Sequence, residues 1–105
     1  MNTGNRTLEE KRAHLESLKV PTVHLNGSCA IDLARKLEDA YLALNEACRA
    51  LNDCTPHGRD YETQESGSFA QAYREHMSRG RQLCEVMDEL CHIGHNVREQ
   101  NEFRK

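Results

Sequence analysis

The stretch PHGRDY at residues 56–61 carries side chains that could hold an anion or a flat ring. Arg59 offers planar guanidinium donors that match the oxygens of a phosphate or a carboxylate. Asp60 can accept backbone amides, and Tyr61 can stack on a ring or anchor a loop. The alternative is a purely structural role, in which an Arg59–Asp60 ion pair pins the turn and Tyr61 packs on a helix end. The sequence leaves both roles open, and the three residues are candidates for a ligand site.

A polar notch is predicted in the helix that follows this loop. His76 and Gly80 fall on a face where apolar residues are expected. A notch beside the loop would be roomy and polar enough to hold a ligand. The candidates around it are Tyr73, Glu75, His76 and Arg79. The alternative is a core histidine satisfied by one partner, with a glycine that lets two helices approach closely.

The turn HLNGS at residues 24–28 is a second polar group, and it leads into a predicted helix. The first amides of a helix lack intrahelical partners and attract anions. Four residues of the turn are therefore further ligand-binding candidates, namely His24, Asn26, Gly27 and Ser28.

The cysteines and histidines do not match a known metal site. The five cysteines occur at positions 29, 48, 54, 84 and 91, and none form a Cys-x-x-Cys pair. In a reducing compartment we expect free thiols that act as small apolar residues. Cys91, His92 and His95 are close enough on a helix to chelate, but the spacing matches no zinc site. We expect no metal and no cofactor.

Enzyme signatures are not found in the sequence. It contains no Gly-rich phosphate loop, no nucleophile elbow and no His-Glu-x-x-His motif. We therefore expect a protein that is not an enzyme.

The composition is that of one small domain. The chain has 105 residues, 37% of them hydrophobic and none of them Trp, so it can bury one narrow core. Its net charge of −3 comes from dispersed charges, and without a basic block we do not expect a protein that coats DNA. We see neither an apolar run of membrane length nor the apolar segment of a signal peptide. We expect a soluble, cytoplasmic protein without a membrane partner.

A short helix and a long helix are predicted in the first half of the chain. Thr7 and Glu10 form the pattern of a capping box, which begins a helix at 7–19. Ser28 is the expected N-cap of a long helix at 28–52. The apolar seam of that helix is Leu33, Leu37, Ala40, Leu44, Ala47 and Leu51, and its flank is Ala34, Tyr41 and Cys48.

A second long helix is predicted at 68–99, with Ser68 as its cap. Its seam is Phe69, Tyr73, His76, Gly80, Leu83, Met87, Leu90, Gly94 and Val97, with Ala72, Val86 and Ile93 on one flank. The loop at 53–67 between the long helices has 15 residues. Connections in helical bundles usually have about 2–8 residues, so we interpret this loop as functional.

These elements predict an all-α domain over 1–105, with a short N-terminal helix followed by a long antiparallel helical hairpin. The apolar flanks exceed what one partner helix can cover, so we expect a helical-bundle oligomer. The turn at 24–28 and the loop at 53–67 would lie at opposite ends of the hairpin. Two antiparallel chains could bring the turn of one chain to the loop of the other, which would create a shared site.

A family resemblance is carried by HLNGS at 24–28, a heptad-like helix, PHGRDY at 56–61 and REHMSR at 74–79. This combination resembles a group of small, uncharacterised phage and prophage proteins with a His-Leu-Asn-Gly turn and a later Gly-Arg-Asp-Tyr loop. The likeness would cover residues 22–98, and its motifs are short. Where those proteins often continue Tyr-Tyr-Pro-Gln, this chain has YETQ at 61–64, so the second aromatic residue is missing.

The resemblance implies a phage accessory protein in the cytoplasm of a bacterial host, one that acts by binding. We expect it to sequester a small anionic ligand, for example a nucleotide-derived signal of host antiviral defence. The alternative is a helical module that inhibits or adapts a host protein through protein–protein contacts. A structural protein of the virion is a third interpretation.

Overall fold

The computed structural model describes residues 6–103, and this part of the chain is all-α, as predicted, without a strand. Its helices are α1 (Leu8–Ser17), α2 (Ala30–Asp53) and α3 (Ser68–Phe103), with a short 3-10 turn at Gly58–Tyr61 in the loop before α3. No helix within the described range is both long and apolar enough to span a bilayer.

The predicted capping box begins α1. The Thr7 hydroxyl accepts from the Glu10 amide at 3.1 Å, and the Glu10 carboxylate accepts from the Thr7 amide at 2.8 Å. The bond from the Thr7 amide lowers the pKa of Glu10, because it favours the ionised carboxylate. None of the residues of α1 is buried, so its position depends on polar contacts rather than on a packed face.

The caps of the two long helices differ from the prediction. Cys29, not Ser28, is the N-cap of α2, and its side chain makes no capping hydrogen bond. Ser68 lies inside α3 rather than before it, because the helix begins there. Gly67 precedes it with a φ of 91°, a backbone conformation that glycine adopts without steric cost.

α2 presents a slightly rotated face to α3. Ala40 and Ala47 of the predicted seam are exposed, whereas Ala34 is buried and Tyr41 and Cys48 of the predicted flank are half-buried. The side chains of Tyr41 and Cys48 carry more surface than a methyl group, so burying them removes more surface from water. The buried face of α2 therefore includes the larger side chains, and Ala40 and Ala47 are left exposed to solvent.

α2 and α3 pack along each other in opposite directions. A methyl group at Gly94 would lie 3.9 Å from Leu37, and Cys48 Sγ lies 3.8 Å from Met87 Sδ further along. The deepest part of the core is near the start of α2 and the end of α3. It comprises Ala30, Ala34 and Val97, with Val23, Leu33 and Ile93 packed against them.

The described chain is thin and elongated. Its principal extents are 63 × 27 × 17 Å and its radius of gyration is 18.6 Å, against about 13 Å for a compact domain of this length. It exposes 8168 Å², whereas a compact monomer of 12.0 kDa exposes about 6000 Å². The large hydrophobic side chains left exposed are Leu8, Leu25, Ile31, Leu42, Phe69, Tyr73, Met77 and Val86.

Val97→Ala is expected to lower the free energy of unfolding by about 2 kcal/mol, because it removes two methyl groups from the best-packed site and leaves a void. Val97 is 0% exposed, while Val86 on the same helix is 45% exposed. The matched control Val86→Ala should therefore cost less than about 0.5 kcal/mol. Urea denaturation followed by circular dichroism at one protein concentration measures both. Equal losses would show that the surface around Val86 is also covered in solution.

Candidate functional site

A groove with a cavity of about 380 Å³ lies where α1 approaches the α2–α3 pair. We call it the α1 groove. It is lined from the α1 side by Arg6, Lys11, His14 and Leu15, from α2 by Cys48, Leu51 and Asn52, and from α3 by Met77, Gly80, Arg81, Cys84, Glu85, Asp88 and His76. The volume falls in the range of about 300–1,000 Å³ that is usual for small-molecule sites.

The α1 wall of the groove is held by polar contacts with α3. His14 Nε2 lies 2.6 Å from a carboxylate oxygen of Glu89, and both side chains are about one-third exposed. The extended connection after α1 is held by Gln100. The Val23 amide donates to the Gln100 side-chain oxygen at 2.8 Å, and the Gln100 amide nitrogen donates to the Pro21 carbonyl at 2.8 Å. These bonds replace the apolar packing that α1 lacks.

His76 forms one end of the groove and is 6% exposed. Its Nε2 lies 3.1 Å from the Thr55 hydroxyl oxygen, and that hydroxyl donates its single proton to the Asn52 carbonyl at 2.6 Å. The hydroxyl therefore accepts from His76, which requires a proton on Nε2. This matches the structural alternative for the histidine, a buried ring satisfied by one partner.

Gly80 opens the groove beside His76. A methyl group added at Gly80 would meet no atom within 4 Å, so this glycine leaves space instead of allowing two helices to touch. The predicted notch therefore exists at His76 and Gly80, but it opens toward α1 and not toward the loop.

Basic side chains outnumber carboxylates in the lining of the groove. Three basic side chains, Arg6, Lys11 and Arg81, line it together with two carboxylates, Glu85 and Asp88. The Nε of Arg81 is buried and has no hydrogen-bond partner within the described part of the chain. A buried donor without an acceptor is costly, and an anionic ligand could supply the acceptor.

Two thiols also stand in the wall of the groove, Cys48 from α2 and Cys84 from α3. Burial raises the pKa of the Cys84 thiol, and the neighbouring Cys48 and Asp88 raise it further. At neutral pH the Cys84 thiol is therefore expected to hold its proton.

The loop candidates lie outside the groove. Arg59 and Asp60 are exposed, and the expected ion pair between them does not occur within the described residues. His57 pins the turn instead, because its Nδ1 accepts from the Arg59 amide at 3.2 Å and its carbonyl accepts from the Asp60 amide at 3.0 Å. The role of His57 was missed because such side-chain acceptors are more often Asp, Asn or Ser.

An aromatic row connects the loop to α3. The ring centroids of Tyr61 and Phe69 are 6.1 Å apart, as are those of Phe69 and Tyr73. Tyr61 thus packs on the helix end, as the structural alternative proposed. Glu75 and Arg79 are exposed, and neither lines the groove; Glu75 accepts from the Gln71 side chain at 3.0 Å.

The turn at 24–28 lies at the other end of the molecule. The Gly27 amide donates to the His24 carbonyl at 3.1 Å, and His24, Asn26, Gly27 and Ser28 are all exposed. The neighbouring connection contacts Gln100, whereas the loop packs near Phe69, roughly 45 Å away along α3 at about 1.5 Å per residue. Within one chain the two polar groups do not meet, and a site shared by two chains stays a prediction.

Among the described residues, no three His, Cys, Asp or Glu side chains converge as a metal site would require. His95 lies 3.1 Å from a carboxylate oxygen of Glu99, one turn further along the same helix. The side chains of Cys91, His92 and His95 therefore do not converge on one point as three metal ligands would.

Residues of the groove could have been recognised from one pattern. Met77, Arg81, Cys84 and Asp88 repeat at a 4-3-4 spacing, a second stripe beside the apolar seam of α3. The contribution of α1 has no comparable signal. Comparisons with protein-family models, curated proteins and solved structures find no match to this chain.

Glu89→Ala is expected to loosen α1, because it removes the partner of His14. A partly exposed hydrogen bond to a carboxylate contributes about 1 kcal/mol, which corresponds to amide exchange roughly fivefold faster in α1. Hydrogen exchange with mass spectrometry measures this. Glu99→Ala is the matched control, since Glu99 pairs with His95 inside α3 and should leave α1 unchanged. Unchanged exchange in Glu89→Ala would show that other contacts hold α1.

Proposed function

We propose that this chain is a non-enzymatic binding protein that holds a small anionic ligand in the α1 groove. The observation that supports this most directly is the buried Nε of Arg81, which has no partner among the described residues. A turn of the Arg81 side chain toward the groove would bring this donor to a phosphate or carboxylate oxygen and complete a charge-assisted hydrogen bond. The groove has three basic side chains against two carboxylates, so its lining favours an oxyanion over a water molecule at this donor.

The rest of the lining indicates the kind of ligand. Leu15, Leu51 and Met77 offer apolar surface, and Arg6 and Lys11 add positive charge near the mouth. A ligand with one acidic group and a flat or apolar body fits this combination. Nucleotides belong to that class, with the phosphate toward Arg81. The resemblance to phage proteins favours a nucleotide-derived signal of host defence as the ligand, and sequestration as the outcome.

The chemistry of His76 supports binding rather than catalysis. A hydroxyl nucleophile is activated when its proton is directed to a neighbouring base. Here the Thr55 proton is directed to the Asn52 carbonyl, and His76 is the donor in its contact with the hydroxyl. This pair therefore holds the end of α2 against α3 and does not generate a nucleophile.

Arg81→Met is expected to weaken ligand binding at least about tenfold, since a hydrogen bond to a charged group contributes about 1.5–3 kcal/mol. Isothermal titration calorimetry against cyclic dinucleotides, ADP-ribose-type nucleotides and mononucleotides measures the affinity. Arg79→Met is the matched control, because Arg79 is exposed on the same helix and does not line the groove.

Arg59→Ala tests the alternative site, in the loop at 53–67. Loss of binding in Arg59→Ala, with full affinity in Arg81→Met, would move the site to the loop and support a composite site between two chains. No binding of any of these nucleotides at high micromolar concentration would contradict a nucleotide ligand.

A helical protein-interaction module is the second candidate, favoured by the large exposed surface. The excess over a compact monomer is about 2000 Å², which is more than the roughly 800 Å² that each partner contributes to a standard protein–protein interface. Ala40, Ala43, Ala47 and Ala50 recur at a 3-4-3 spacing on an exposed face of α2. Small residues allow another helix to approach closely, and a second copy of the chain is the proposed cover. A host protein could bind the same face.

Sedimentation velocity is expected to show a dimer or a larger oligomer at micromolar concentration. Ala47→Glu should shift the chain toward the monomer, because it places a charge in the proposed contact. Ala13→Glu is the matched control, as Ala13 is exposed on α1, away from that face of α2. A monomeric parent chain would rule out self-association and leave a host protein as the partner of this surface.

A further inference from the structure

We propose that Cys48, Cys84 and Met87 form a binding site for monovalent copper at the base of the α1 groove. Two thiolates and one thioether are soft ligands, and this ligand type selects Cu(I). The site goes beyond the binding of an anion, because it uses none of the basic side chains as ligands.

The separation of two of the sulfur atoms already suits a trigonal metal site. Cys48 Sγ lies 3.8 Å from Met87 Sδ, across the interface between α2 and α3. Three metal–sulfur bonds of about 2.3 Å at 120° place the sulfur atoms about 4.0 Å apart. This edge of the triangle therefore requires almost no movement of the helices.

Cys84 can supply the third corner. It lies three residues before Met87, so the two side chains share a face of α3. It also lines the same groove as Cys48, from the facing helix. The three sulfur atoms thus come from two packed helices, which hold them in place better than a loop would.

The ligand types favour Cu(I) over zinc. Structural zinc sites usually take four ligands from Cys, His, Asp or Glu. Within the described residues no three such side chains converge, so a zinc set is not assembled. The thioether of Met87 is neutral and soft, and it completes a three-coordinate site that suits a monovalent ion.

The groove provides access and charge compensation. Cys84 is exposed in the groove wall, so a metal ion can reach the site from solvent, while Met87 is 8% exposed in the α2–α3 interface. Binding forms three metal–sulfur bonds and releases two thiol protons, with no change of oxidation state, so the bound site carries one net negative charge. The ammonium of Lys11 lies near enough to lower the pKa of Cys84, and it would offset that charge.

The test starts from a background in which the other cysteines are removed, Cys29→Ser, Cys54→Ser and Cys91→Ser. The reduced protein is titrated anaerobically with Cu(I) in competition with bicinchoninate. We expect one Cu(I) per chain and three sulfur neighbours at about 2.3 Å in X-ray absorption spectra. Affinity should rise with pH, because protons compete with the metal.

Three single variants assign the ligands. Cys48→Ser and Cys84→Ser should each weaken binding by more than about a hundredfold, beyond the loss caused by removing an outer partner of a metal ligand. Met87→Leu keeps the core volume, so it should fold while its spectrum shows two sulfur neighbours instead of three. Circular dichroism confirms that each variant is folded.

Two outcomes would overturn the site. One is Cu(I) affinity in the background protein that is unchanged by Cys48→Ser or Cys84→Ser, which would indicate an adventitious ion only. The other is a spectrum with two sulfur neighbours in the background protein itself. Arg81→Met should keep its copper affinity, so failure of the anion site and failure of the copper site are distinguishable.

Discussion

The α2–α3 seam is the contact on which the rest of the structure depends. Two helices side by side can bury only one face of each, and here that face includes small residues such as Ala30, Ala34 and Gly94. The result is a close pair with little apolar volume between its helices. Everything else in the molecule, including the groove and the exposed alanines of α2, exists because this single seam leaves the outer faces of both helices uncovered.

The groove follows from how α1 is attached. A helix with a strong apolar stripe would have settled on the α2–α3 pair and filled the space beneath it. α1 has no buried residue; His14 connects it to Glu89 of α3, and Gln100 holds the connection that follows it. Guanidinium groups, two thiols and a thioether line the space that is left between the helices. Weak apolar packing is thus what makes a chemically rich cavity possible in so small a chain.

Much of the fold could be predicted from the sequence, because it depends on local patterns. The capping box at Thr7 and the α3 seam from His76 to Val97 are encoded in spacing that the structure keeps. The buried face of α2 lies closer to Tyr41 and Cys48 than the sequence predicts. Spacing alone does not say which of two adjoining stripes of side chains buries more surface. The site was harder to predict. Of the residues singled out from the sequence as a binding site, the groove includes only His76 and Gly80, and the approach of Lys11 and His14 to α3 depends on contacts between distant segments.

The two hydrogen bonds between Gln100 and the connection after α1 also affect how the chain folds. The two bonds join Gln100 to residues that lie 77 and 79 positions away in the sequence, whereas the turns and helices form from near neighbours. Closing so long a segment costs chain entropy that only a docked α2–α3 pair can offset. We therefore expect the connection after α1 to dock only after α2 and α3 have packed together. Newly made chains would acquire their helices well before they acquire a cavity.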